Sequence, residues 1–105
     1  MKIVINTSHS LFALSEVAVD YIRKKIKNKE IKEKIFAFSF DNDRSHPLLI
    51  EAVEKLGSKA STENSRLKII EIPDGVHWEI HGYNGKEWIA ECHRTWGKNE
   101  ENYSN

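Results

Sequence analysis

Hydrophobic and polar positions alternate in blocks along the chain, and the blocks predict its elements. Lys2-Ile3-Val4-Ile5-Asn6 is a continuous β-branched run, the pattern of a strand buried on both faces. A polar stretch with Thr7, Ser8, His9 and Ser10 interrupts it. Leu14, Ala18, Tyr21, Ile22 and Ile26 then recur at helical spacing. Ser15 is placed to cap that helix, Glu16 suits its first turn, and the pattern fades near Asn28. Ile35 to Phe40 alternates Phe36, Phe38 and Phe40 with smaller residues and predicts a second strand. After the polar segment Asp41 to His46, Pro47 fits a first helical position. Leu48, Leu49, Ala52, Val53 and Leu56 form a buried stripe, and Gly57 ends the helix. Ser58 to Arg66 is polar, a frayed extension or a surface loop.

Leu67 to Ile72 is a third strand, closed by Pro73-Asp74-Gly75. Val76 to Tyr83 and Lys86 to Trp96 follow as strands joined by Asn84-Gly85, the strongest hairpin signal in the chain. The order is βαβαβββ. Two crossovers of about thirty residues predict three parallel strands, to which the hairpin adds antiparallel ones. The expected fold is a single α/β domain over residues 1–97, a mixed sheet with two helices and a C-terminal β-hairpin, followed by a mobile polar tail at 98–105. Counting back from the turn pairs Tyr83 with Lys86, His81 with Trp88, Glu79 with Ala90 and His77 with Cys92. One hairpin face then carries His77, Glu79, His81, Tyr83, Trp88 and Cys92. The other carries Val76, Trp78, Ile80, Glu87, Ile89, Glu91 and His93, and is the one expected to face the helices.

Composition narrows the function classes. The 105 residues carry sixteen Lys+Arg and sixteen Asp+Glu, a formal net charge of zero, which argues against a general nucleic-acid binder. Mean hydropathy is −0.59 and no run approaches the ~18 apolar residues of a membrane span. The opening MKIVIN lacks the features of a secretory signal. A single cysteine, Cys92, leaves no internal disulfide and no multi-cysteine zinc site, so a cytoplasmic setting is expected.

Ligands of open parallel sheets bind beyond the strand C-termini. The loop with Ser8, His9 and Ser10 and the loop with Arg44 and His46 would meet there. Together they offer hydroxyls, two imidazoles, a guanidinium and two helix N-termini to a phosphate or carboxylate. Trp88 on the exposed hairpin face could stack on a base. His77 and His81 share a face but lie about 13 Å apart, too far to chelate one ion, so no metal is expected. Cys92 and His93 point to opposite faces and cannot form a nucleophile–base pair, which leaves His77 as the better-placed partner of Cys92. The run from Arg23 to Lys34, seven cations and two anions, reads as a solvated helix end.

The chain also resembles a widespread family of small, uncharacterised phage and prophage proteins. The resemblance rests on the MKIVIN opening, Leu14-Ser15, Pro47 to Gly57, Ile72-Pro73-Asp74-Gly75, Trp78-Glu79-Ile80, Tyr83-Asn84-Gly85 and Glu91-Cys92-His93-Arg94-Thr95-Trp96. Matching positions are Phe12, Leu14, Ser15, Arg44, Pro47, Trp78, Tyr83, Gly85, Glu91, His93, Arg94 and Trp96. The chain departs from the pattern twice. Ser8-His9-Ser10-Leu11-Phe12-Ala13 replaces a glycine-rich loop, and His46 stands where the family places Asp before the proline. The resemblance implies an accessory protein that sequesters a small anionic, nucleotide-like ligand to evade host defence. Its contacts would be Ser8, His9, Ser10, Arg44, His46, Trp88, His93 and Arg94, without a cofactor and without turnover. Two alternatives stand beside it: an interaction module that inhibits a host enzyme, and a small phosphodiesterase or nucleotide hydrolase using His9 and His46 as acid and base. A homo-oligomer seamed along an edge strand with Trp88 and Trp96 is expected under each.

Overall fold

A computed structural model describes residues 1–26, 40 and 42–92. Along the chain these form β1 (Lys2–Asn6), α1 (Glu16–Lys25), α2 (Pro47–Leu56), a 3-10 turn (Gly57–Ala60), β2 (Leu67–Glu71), β3 (Trp78–Tyr83) and β4 (Lys86–Glu91). The result is a single mixed α/β domain with two α-helices among the described residues and a C-terminal hairpin.

β1 is buried on both faces, as its unbroken apolar run requires. Val4 points into the main core with Ala18 and Ile22 of α1, Ile26 at its C-terminal cap, Phe40 in the turn before α2, Leu49, Ala52 and Val53 of α2, and Ala60. Ile3 and Ile5 are buried on the opposite side of the strand. α1 starts where Ser15 Oγ accepts from the Ala18 amide at 3.1 Å, and Arg23, Lys24 and Lys25 occupy its last turn, where cations complement the dipole. α2 opens on Pro47, and Gly57, with φ 59°, ends it. His46 Nδ1 accepts from the Leu48 amide at 3.1 Å, so an imidazole performs the capping that a carboxylate would otherwise do.

The first and third expected strands pair, but antiparallel rather than parallel. Lys2 stands opposite Glu71, Val4 opposite Ile69 and Asn6 opposite Leu67. The reason lies in the polar stretch after α2. Ser15 at the start of α1 donates its amide to the Ala60 carbonyl at 2.9 Å and its hydroxyl to the Lys59 carbonyl at 2.6 Å. At the far end of α1, Lys25 reaches Glu51 at 3.1 Å. The two helices therefore run in opposite directions, and the chain leaves the second beside the end of β1. From there it can only return down the strand. The expected extension or loop at Ser58 to Arg66 is a 3-10 turn followed by a tightly bonded connection, in which Ser65 Oγ donates to the Ala13 carbonyl at 2.9 Å.

β3 and β4 form a separate two-stranded sheet in the register expected from the turn, His81 opposite Trp88 and Tyr83 opposite Lys86. The ladder continues to a Cys92 amide bond with the His77 carbonyl at 2.7 Å. Asn84 and Gly85 both have positive φ, 51° and 89°, as a type I′ turn demands. The expected strand at Ile35 to Phe40 falls outside the described residues except Phe40, a buried turn residue with φ 62°. The Lys27 to Lys34 part of the basic run, the strand continuation past Cys92 and the polar tail also lie outside them. Among the described residues no helix is long and apolar enough to cross a membrane.

Leu49 is fully enclosed between the helices and β1. Leu49→Ala should lower unfolding free energy by about 2–5 kcal/mol, measured as a reduced urea midpoint with an unchanged denaturant slope.

Candidate functional site

The site is assembled where the hairpin tip meets the loop that leaves β1. Asn6, with 0% of its surface exposed, stands at the centre. Its Nδ2 donates to the carbonyls of Ser10 and of Gly85, the latter at 3.0 Å, with a longer contact to Ser8 O. Its Oδ1 accepts from the Arg66 amide at 2.9 Å and from the Ser8 amide at 3.4 Å. One carboxamide thus touches the β1 loop, the start of β2 and the hairpin turn. Gly85 packs so closely on Ser10 that a Cβ there would collide with the Ser10 backbone. Glycine is required at this position for that contact as well as for its φ.

A second junction lies just below. Glu87, on the inner face of β4, is 15% exposed and receives a bidentate guanidinium from Arg44, itself 8% exposed, at 2.7 and 2.9 Å. Glu87 Oε1 also accepts the Asn6 amide at 2.8 Å. Arg44 Nη1 lies 3.3 Å from the Val4 carbonyl, the Arg44 carbonyl accepts the Val4 amide at 2.9 Å, and the guanidinium carbon sits 3.7 Å from the centre of the Phe12 ring. Bidentate geometry and these extra partners are what make burial of the pair tolerable.

Above both junctions lies an open groove of about 650 Å³ lined by His9, Ser10, Leu11, Asn84 and Gly85. The neighbouring loop side chains are engaged within the fold: Thr7 Oγ1 donates to the Arg66 carbonyl, and Ser8 Oγ to the Asn64 carbonyl. The side chains of His9, Ser10 and Asn84 make no hydrogen bond or ion pair among the described residues. Leu11 beside them is 80% exposed.

The outer hairpin face carries Tyr83, 68% exposed, and Trp88, 47% exposed. His81 meets the Trp88 ring edge-on, with centroids 6.3 Å apart, and its Nε2 lies 2.6 Å from Glu79 Oε1. That hydrogen bond, and a second from the Cys92 thiol, hold the Glu79 carboxyl below the usual carboxylate range. Burial pushes the Cys92 thiol up, and the Glu79 charge adds to it. Cys92 therefore faces a carboxylate rather than the imidazole base proposed for it in His77, and its thiolate is disfavoured. No group of three His, Cys, Asp or Glu among the described residues could hold a metal ion.

The expected contacts are thus distributed over different settings. His9 and Ser10 line the groove, whereas Ser8 is bonded within the loop. Arg44 lies beneath the groove against Glu87, and His46 caps α2 with its ring edge-on to Phe40 at 5.2 Å. Trp88 stands on the outer hairpin face; His93 and Arg94 lie outside the described residues. Asn6, Leu11, Asn84, Gly85 and Glu87 were not among the expected contacts. Glu87 did carry a signal: a carboxylate on the same hairpin face as Trp78, Ile80 and Ile89 demands a cationic partner. No protein-family model, curated protein or solved structure matches the chain.

Removing one partner of the enclosed ion pair should cost more than an exposed pair would. Glu87→Ala is expected to destabilise the fold by roughly 3 kcal/mol in chemical denaturation. Iodoacetamide should alkylate Cys92 more slowly than a small free thiol at about pH 8, since burial and the Glu79 charge raise its thiol. Because Glu79 raises the thiol, Glu79→Gln should speed that reaction and shift its pH profile downward.

Proposed function

We propose that the chain is a binding protein without turnover, and that the groove between the β1 loop and the hairpin tip takes a small anionic, nucleotide-like molecule. One observation carries this reading: His9, Ser10 and Asn84, left unpartnered in a region whose other loop polar groups are largely bonded internally, share one open groove with an exposed leucine. The imidazole, hydroxyl and carboxamide supply donors for phosphate oxygens or base edges, and Leu11 supplies an apolar surface for a ring. A volume of about 650 Å³ suits a mononucleotide-sized ligand. Of the two imidazoles an acid–base hydrolase would use, His9 lines the groove, whereas His46 caps α2 with its Nδ1 accepting from the Leu48 amide. Under the resemblance to small phage proteins, the ligand would be a signalling nucleotide of the host, withdrawn from its receptor. Arg44 supports the site from below by fixing the hairpin.

A second reading has its own observation. Tyr83 and Trp88 expose aromatic surface on a hairpin fastened by its opposite face, an arrangement suited to a protein partner.

Native mass spectrometry of the purified protein, before and after denaturation, should show an added mass in the nucleotide range that denaturation releases. Titration with adenosine monophosphate, followed by NMR, should shift the amides of His9, Ser10, Asn84 and Gly85. His9→Ala and Asn84→Ala should each weaken binding roughly fivefold, the loss of one hydrogen bond worth about 1 kcal/mol. An unloaded protein with no shifts at millimolar nucleotide would overturn the reading in favour of a protein partner on the Trp88 face.

A further inference from the structure

The two walls of the groove come from segments far apart in sequence, the β1 loop at residues 9–11 and the hairpin tip at residues 84–85. They are joined by one side chain. A carboxamide has two N–H bonds, and the closest acceptors of Asn6 Nδ2 are the carbonyl of Ser10 on one wall and that of Gly85 on the other. Asn6 Oδ1 is occupied by the Arg66 and Ser8 amides, so the group cannot flip without losing partners on both ends. The Asn6 main-chain amide is bound in addition to Glu87 of the same hairpin.

We propose that Asn6 is the positioning residue of the groove, coupling hairpin docking to ligand binding in one linked equilibrium. The proposal rests on the groove being the binding site, and extends that reading to its control. Asn6 touches neither the groove nor a ligand in it; it sets the separation of the walls. Docked, the hairpin tip and the loop present His9, Ser10 and Asn84 together. With the tip released, those groups no longer face one another. Affinity then scales with the docked fraction, and linkage requires a bound ligand to hold the hairpin down in return. The hairpin keeps its own ladder in both states, so release is a movement of the whole element rather than its unfolding.

Hydrogen exchange on the full chain tests the coupling without any ligand. Asn6→Asp keeps the size and the Oδ1 acceptor but sets a carboxylate oxygen against two carbonyls. Exchange should rise at least about tenfold at Asn6, whose amide Glu87 accepts, and at residues 8–11, while the hairpin ladder and the α1 and α2 amides keep their protection. Leu49→Ala, which loosens the helical core, should not give this selective pattern. In the wild type, adenosine monophosphate should slow exchange at the same positions, and Asn6→Asp should weaken its binding at least about fivefold relative to Leu49→Ala. Should Asn6→Asp not fold, Gly85→Ala pries the same walls apart and is read by the same pattern. A uniform rise in exchange, or none, would overturn the proposal. If the nucleotide fails to bind the wild type, the ligand reading falls, and the exchange pattern alone still decides whether Asn6 joins the walls.

Discussion

The carboxylate of Glu87 has to be satisfied away from bulk water, and the architecture around the hairpin follows from how that is done. Arg44 supplies two parallel N–H bonds, Asn6 supplies its main-chain amide, and Phe12 lies beneath the guanidinium. The same contacts solve a second problem. The N–H groups of Val4 and Asn6 point off the side of β1 that β2 does not cover. The Arg44 carbonyl takes one and Glu87 takes the other. Among the described residues, one carbonyl and one carboxylate cap a strand edge that would otherwise invite pairing with a foreign chain. An apolar isostere at position 87 could fill the space, but it could not accept that amide.

Local chemistry was readable from the sequence, and the way the pieces face each other was less so. Ser15, Pro47 and Gly57 mark the helix ends by mechanisms that need only their immediate neighbours. Asn84-Gly85 fixes the hairpin register because both residues tolerate positive φ. Strand direction is different in kind. The parallel expectation counted helices between strands, whereas the antiparallel result depends on where the chain lands after α2, beside Ser15. No periodicity encodes that. His46 illustrates the same limit at one residue: it read as a possible contact for an anion, and serves as an acceptor for the Leu48 amide.

The groove was half legible. A polar loop after a strand is a general signal, and it gave His9 and Ser10. It also gave Ser8, whose hydroxyl is bonded inside the fold, and it could not give Leu11 or Asn84. Asn84 was read for its backbone, as a turn former, while its side chain remained open to a second use. Arg44, the strongest anion-binding group expected, already faces an anion of the protein's own. The polar side chains around the groove are the His9 imidazole, the Ser10 hydroxyl and the Asn84 carboxamide, so a ligand taken there as proposed would be held by hydrogen bonds and shape more than by charge.

Pairing Asn6 with Leu67 and Lys2 with Glu71 joins positions 61 and 69 apart in the chain. Closing so long a span costs entropy before any strand bond offsets it, so the helical pair, built from nearer neighbours, has the advantage in time. On the ribosome β1 therefore emerges well before the residues that complete it. Until residue 71 is out it has no antiparallel partner, and until residue 87 is out the amide of Asn6 has no carboxylate. The most buried of the described strands spends much of its synthesis as an apolar segment awaiting these partners.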